Sequence, residues 1–171
     1  RASCIPRGSF YQYFADKNDL FFTLIDEIRD RFLGLFHATL KRVGGNLYAM
    51  PLALLDAVVA PNGRIVPEFS RAFALLCLNV NMDVQQLFFE RAASELCPQK
   101  LLERIDPSYL RSQEESFVDD VFTLLVGALA CAIGRTMKAP QTFALERERL
   151  RRCIEIIQHG SAAVPEGEEV K

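Results

Sequence analysis

The sequence predicts an all-α fold. Along most of the chain, apolar residues recur at spacings of three and four, and no segment shows the alternation of apolar and polar residues that is typical of a strand. Half of the 171 residues are hydrophobic, which is enough for a chain of this length to bury a sizeable core. We expect a short N-terminal segment at 1–19, one helical domain at 20–160 and a disordered acidic tail at 161–171.

A short helix is predicted near the start of the chain. Pro6 suits a first helical turn, because its φ is fixed and it lacks the N–H that would be unsatisfied there. Phe10 and Phe14 are four residues apart and fall on one face. The remaining faces offer donors, acceptors and flat rings, the groups that contact base edges and phosphates in the major groove: Arg7, Ser9, Tyr11, Gln12 and Tyr13. Packing of Tyr11 and Tyr13 against a neighbouring helix is the alternative.

A long helix is predicted to follow. Asp16 is placed to cap its N-terminus, and Asp19 favours the positive end of the helix, as in a capping box with Asp in place of Glu. Lys41 and Arg42 provide a basic last turn, and Gly44-Gly45 ends the helix. Its apolar residues recur at helical spacing: Leu20, Leu24, Ile28, Phe32, Leu35, Phe36 and Leu40.

Turn signals divide the middle of the chain into further helices. One is predicted at 47–60, although Pro51 leaves open where it begins, and Pro61-Asn62-Gly63 forms the turn after it. Two more are predicted at 67–79 and 83–105, the second with a break at Pro98.

Two C-terminal helices complete the prediction. The first follows the turn Asp106-Pro107-Ser108 and runs over 114–137, and the second runs over 142–159, capped by Thr142 and ended by Gly160. The longest apolar run, 121–133, is shorter than the roughly 20 residues that span a bilayer. We therefore predict a buried helix there and no membrane partner.

Composition narrows the class of function. The five cysteines are scattered and odd in number, which favours reduced core thiols in a cytoplasmic protein. His37 and His159 stand alone, and no spacing typical of zinc ligands occurs, so we predict neither a metal site nor a cofactor. No recognisable Ser-His-Asp set or carboxylate pair is present, so we do not predict an enzyme.

The distribution of charge favours a nucleic-acid contact at the N-terminal end of the chain. The net charge of −2 is not that of a protein held on DNA by its overall electrostatics. Arg1, Arg7 and Lys17 nevertheless make the N-terminal end locally basic, with Asp16 opposing them.

Residues 5–20, reading IPRGSFYQYFADKNDL, resemble the recognition helix and following linker of TetR-type transcriptional regulators, the TetR/AcrR family. The resemblance implies that 1–19 is the C-terminal part of a helix-turn-helix domain, joined by the long helix to a helical ligand-binding and dimerisation domain. Phe10, Phe14 and Leu20 match the small hydrophobic core of the family's DNA-binding domain. The positions that match its DNA contacts are Arg7, Gly8, Ser9, Tyr11, Gln12, Tyr13 and Lys17.

The resemblance is specific over about the first two dozen residues, and the first two helices of the family's DNA-binding domain have no counterpart here. We expect that those helices were either removed by truncation or are disordered. If the protein lacks them, Phe10, Phe14 and Leu20 lose the residues they would pack against. In that case we do not expect the chain to bind an operator.

The last two helices are the predicted dimer interface. The first of them is rich in small residues, and the second has an apolar side; in the family these helices form a four-helix interface with a second subunit, as a two-fold operator demands. The alternative is that they close only this chain's own core. The predicted interface residues are Gly127, Ala128, Ala132, Leu150, Ile154 and Ile157.

A ligand pocket is predicted among the central helices, where phenylalanines would line a site for a small apolar effector. The alternative is that these rings form an ordinary core. The resemblance implies a repressor whose affinity for a double-stranded DNA operator changes when the effector favours one setting of the long helix. A helical dimerisation or ligand-carrier module without DNA binding is the alternative function. The predicted pocket residues are Phe32, Phe36, Phe73, Phe88, Phe89 and Phe122, with Phe69 nearby in sequence.

Overall fold

The computed structural model describes residues 13–67, 69 and 96–161. Within these residues the predicted all-α class is confirmed: helices account for the regular structure, and no strand is formed. Short 3₁₀ turns lie at Pro107–Tyr109 and Pro140–Thr142, and an isolated bridge pairs Val59 with Ile65. The α-helices are α1 (Lys17–Arg42), α2 (Met50–Val58), α3 (Pro98–Leu102), α4 (Glu115–Lys138) and α5 (Phe143–Ser161).

Local hydrogen bonds fix both ends of α1. The Asp16 carboxylate accepts from the Asp19 N–H at 2.9 Å, which confirms the predicted cap. The Asp19 carboxylate accepts in return from the Ala15 N–H at 2.9 Å, one residue earlier than in a standard capping box. At the other end, Gly44 and Gly45 have φ of 65° and 77°. Their N–H groups donate to Lys41 and Leu40 respectively, the pair of bonds that defines a Schellman motif.

Helix α2 is shorter than the predicted 47–60. The Asn46 side chain accepts from the N–H groups of Tyr48 and Ala49, which holds 46–49 in a turn, and the helix begins at Met50. It ends at Val58 because Val59 is extended and pairs with Ile65. Gly63 forms the predicted turn between them with φ of 77°.

Pro98 begins helix α3. A break was predicted at this position, and Cys97 before it is extended, as the residue preceding a proline prefers. The helix is only five residues long and stops at Leu102, short of the predicted 105. Asp106 then caps the following 3₁₀ turn, where its carboxylate accepts from the Ser108 N–H at 3.0 Å.

Helices α4 and α5 lie close to their predicted bounds, with one correction. Gly160 does not end α5, which continues through Ser161. Ser161 was assigned to the tail but is buried: its hydroxyl lies 2.9 Å from the Tyr48 hydroxyl, and its carbonyl accepts from the Arg111 N–H at 2.9 Å. These tertiary bonds hold the last turn of α5. Residues 162–171 lie outside the described residues.

The core forms where α4 packs against α5, α2 and α3. Fully or almost fully buried side chains come from α1, α2, α4 and α5 and make one contiguous cluster. A two-bonded ion pair between Arg147 and Asp56, with both N···O distances 2.8 Å, ties α5 to α2 at the surface. The hydrogen bond from Arg147 to Asp56 raises the pKa of Arg147. Central members of the cluster include Phe36, Leu40, Leu54, Leu55, Leu125, Leu129 and Leu150.

Replacing Gly63 tests the turn after α2. A Cβ at Gly63 would overlap the backbone carbonyl of Pro140, and the positive φ adds strain. We expect Gly63→Ala to lower the free energy of unfolding by about 3 kcal/mol or more. Gly44→Ala is the matched control, because Gly44 has a similar φ but nothing lies within 4 Å of its added Cβ. Urea denaturation that gives both variants the same loss would contradict the close approach at Pro140.

Ionisation of the buried Tyr48 hydroxyl should lower the stability of the fold at alkaline pH. Tyr48 is 3% exposed, and burial raises its pKa above the ordinary value of 10.0, outweighing the opposing effects of Ser161 and Arg111. A raised pKa means that the stabilisation is complete below pH 10 and is lost as the pH rises through the folded-state value. We expect Tyr48→Phe to flatten the fall of urea-unfolding stability above pH 10. The exposed Tyr109→Phe should leave that fall unchanged.

Candidate functional site

The described chain opens at the end of the predicted DNA-contacting segment. Tyr13 has helical backbone and is 78% exposed, whereas 14–16 are not helical and α1 begins at Lys17. The Tyr13 ring is therefore accessible to solvent or to a partner, and it lies just before the capped start of α1. The side chain of Lys17 is not described. The other predicted DNA contacts lie outside the described residues: Arg7, Gly8, Ser9, Tyr11 and Gln12.

Two of the predicted pocket residues lie in the core and touch each other. Phe36 is 1% exposed and Phe122 is 8% exposed, and their rings meet edge to face with centroids 5.8 Å apart. Phe32 is half-buried, as is Phe69, which packs against the core. Phe73, Phe88 and Phe89 lie outside the described residues. The pocket therefore stays a prediction, and in this conformation Phe36 and Phe122 act as core residues.

Half of the predicted dimer residues are buried inside the chain itself. Ala132, Leu150 and Ile154 are 3%, 2% and 5% exposed, because α4 and α5 pack directly against each other. For these three side chains, closing the chain's own core is the observed role. Ala128 and Ile157 are partly buried at the margin of the core, and Gly127 is exposed. Ala132, Leu150 and Ile154 are therefore not available to a second copy in this conformation.

A face next to the buried one on each of these two helices carries a second stripe, in which exposed apolar side chains alternate with arginines and cysteines. We call it the outer face. Leu124, Leu145 and Ile156 expose 57%, 48% and 73% of their surface, respectively. Spacings of three and four place its residues on one side of each helix. The outer face consists of Leu124, Ala128, Cys131 and Arg135 from α4 and Leu145, Arg149, Cys153 and Ile156 from α5.

A buried carboxylate holds the two halves of the outer face together. Glu146 is 3% exposed, and it accepts from Arg149 at 2.7 Å and from Arg135 at 3.5 Å. Because Arg135 belongs to the α4 stripe and Arg149 to the α5 stripe, the shared partner sets the stripes side by side. The two arginines also satisfy a carboxylate that would otherwise be unpaired in a buried position.

Helix α4 is less buried than the sequence predicted. By length and composition it is apolar enough to cross a membrane, and less than half of its apolar stretch is buried inside the described structure. Core helices of soluble proteins pass the same test, so this observation is weak evidence for a membrane span. It shows that this long apolar helix leaves much of its surface uncovered by the described chain.

An open groove lies at the C-terminal end of α1. We call it the α1 groove. Its volume is about 570 Å³. The Asp106 N–H donates to the Gly45 carbonyl at 2.9 Å, which joins the two walls, and a Cβ at Gly45 would come within 2.6 Å of the Asp106 nitrogen. The lining residues are His37, Ala38, Leu40, Lys41, Gly44, Gly45, Arg104, Ile105 and Asp106.

The α1 groove has a positive rim. Lys41 and Arg104 are exposed, and in the part of the chain that the structure describes neither makes an ion pair. The carboxylate of Asp106 is turned to Ser108 instead, and hydrogen bonds from the Ser108 side chain and backbone lower the pKa of Asp106. The sequence did not predict this site, because Lys41 and Arg104 lie in segments far apart in the chain.

The cysteines correct one expectation. Cys131 and Cys153 are exposed and Cys97 is half-buried, so the prediction of core thiols is wrong for these positions. Cys4 and Cys77 lie outside the described residues. His159 is exposed, and His37 lies edge-on to the Phe36 ring with centroids 5.7 Å apart. Among the described residues, no three His, Cys, Asp or Glu side chains are grouped so as to hold a metal ion.

Comparison with known proteins found no relative: no family model, no curated protein and no solved structure matches the chain. Three features of the described residues bear on function. These are Tyr13 at the start of α1, the outer face of α4 and α5, and the α1 groove.

Proposed function

We propose that the chain belongs to a ligand-responsive DNA-binding transcriptional regulator that acts as a homodimer in the cytoplasm. The observation that carries the proposal is the resemblance of 5–20 to the TetR recognition segment, together with the exposed Tyr13 ring just ahead of a capped helix. An aromatic ring this exposed lacks a packing partner within the described chain. A base edge or a thymine methyl group is a partner that such a ring fits.

Helix α1 supplies the connection that a ligand-responsive regulator needs. It has 26 residues, so at the usual rise it is about 39 Å long. Its C-terminal part is fixed in the core by Phe36 and Leu40, and its N-terminal end follows Tyr13. A ligand that binds one setting of α1 more tightly would shift the population toward it and so move the DNA-contacting end.

The outer face supports the homodimer. A two-fold axis sets the same surface against itself, so a face must be complementary to its own copy. Leu124, Leu145 and Ile156 would lose their contact with water there, which favours association. Around them, α5 carries both signs of charge, with Arg151 bound to Glu148 and Glu155, so a second copy would meet partners for its own charged groups.

Selection of bound sequences from a random double-stranded DNA library tests the proposal directly. We expect the protein that retains the first two helices of the DNA-binding domain to enrich a site with two-fold symmetry. Tyr13→Ala should then weaken binding to that site by about tenfold in fluorescence anisotropy, since it removes a base contact. Tyr109→Ala is the matched control, because Tyr109 is also exposed but lies in the turn before α4. Failure of that protein to enrich any sequence would refute the proposed DNA binding.

Charge substitution on the outer face tests the dimer. We expect the double variant Leu124→Glu/Ile156→Glu to weaken self-association by at least about a hundredfold, because unpaired carboxylates would be buried between the copies. Sedimentation equilibrium measures this change without DNA. Tyr109→Glu places a charge on an exposed ring elsewhere and should leave association unchanged. A dimer that tolerates both outer-face charges must form through another surface.

A second candidate is a dimerising ligand-carrier module without DNA binding. The α1 groove favours it, since a binding site for a small molecule needs no nucleic acid. The two experiments separate the candidates. A dimer that depends on Leu124 and Ile156 but enriches no DNA sequence is the result expected of the carrier.

A further inference from the structure

We propose that the α1 groove binds a small amphipathic carboxylate, that is, a single carboxylate attached to a short apolar chain. The volume of about 570 Å³ lies within the range of small-molecule sites, roughly 300–1,000 Å³. The inference concerns binding alone and stands or falls independently of the proposed regulatory function.

The charges of the groove favour an anion. Lys41 on α1 and Arg104 on the loop after α3 both line the groove, and neither has a carboxylate partner within the described residues. This contrasts with α5, where Arg147, Arg149 and Arg151 are each paired with a carboxylate. A ligand carboxylate in the groove could accept from the Arg104 guanidinium and the Lys41 ammonium together, in charge-assisted hydrogen bonds.

The acidic residue of the groove does not cancel this preference. The carboxylate of Asp106 is held by Ser108, and its lowered pKa keeps it ionised there. It therefore remains a single negative charge against two positive ones, and it disfavours a ligand that carries several negative charges. A monocarboxylate fits this balance better than phosphate does.

The rest of the lining favours an apolar chain on the ligand. Ala38 is exposed on the groove wall, the edges of the otherwise buried Leu40 and Ile105 add apolar surface, and Gly44 leaves open space because it has no side chain. An inorganic anion would leave this apolar surface in contact with water. A short hydrocarbon chain would cover it, which adds to affinity roughly in proportion to the area removed from water.

Calorimetric titration of the full chain with octanoate tests the proposal. We expect saturable binding at a single site, with binding of neutral octanol and of inorganic sulfate each weaker by at least about tenfold. The double variant Lys41→Gln/Arg104→Gln should weaken octanoate binding by at least about tenfold as well. Arg64→Gln/Lys138→Gln is the matched control: it removes the same charge from two exposed cations outside the groove and should bind octanoate as the wild type does.

A second variant tests shape without changing charge. Ala38 is exposed on the groove wall, so Ala38→Phe should fill the groove while α1 stays folded, as far-UV circular dichroism can verify. We expect it to abolish octanoate binding. The proposal is overturned if octanoate shows no saturable binding, if the Lys41/Arg104 and Ala38 variants bind it as tightly as the wild type, or if sulfate binds equally well. Because no DNA is present, none of these results bears on operator binding.

Discussion

The burial of one side of α4 organises the described chain, because α4 meets every other described helix. It packs against α2, α3 and α5, and the Phe36–Phe122 ring contact brings α1 to it. Burying apolar surface in this way is the main favourable term in folding, and the ion pairs at the surface contribute far less. A neighbouring face of α4, which includes Leu124, faces outward. Part of the apolar surface of α4 therefore stays exposed and is available for contact with another molecule.

Periodicity in the sequence was sufficient to predict α1, α4 and α5, because long amphipathic helices bury a stripe that repeats every three or four residues. Their ends were predictable where local chemistry decides them, as at Asp16 and at Gly44-Gly45. The end of α5 was not predictable, because its last turn is held by Tyr48, a residue more than a hundred positions away in the chain. The start of α2 depended on the side-chain turn at Asn46, which competes with helix formation.

The site was harder to predict than the fold. Helix α5 carries two apolar stripes, and the sequence does not say which one faces the core; the stripe of Leu150 and Ile154 was assigned to a partner although it closes the chain itself. A signal for the second stripe was present, since Leu145 and Ile156 lie eleven residues, or three helical turns, apart. The α1 groove gave no comparable signal, because Lys41 and Arg104 lie in segments far apart in the chain that the Gly45–Asp106 hydrogen bond joins.

The hydrogen bonds of Ser161 change how the end of α5 unfolds. A terminal helical turn usually frays first, because its last carbonyls lack intrahelical partners. In α5 that turn is bonded to Tyr48 and to the Arg111 backbone, which flank α1 and α4 respectively. Separating the end of α5 therefore also disrupts the loops after α1 and before α4. The last turn thus belongs to the cooperative unit of the core, and its amide protons should exchange with solvent on the slow timescale of that unit.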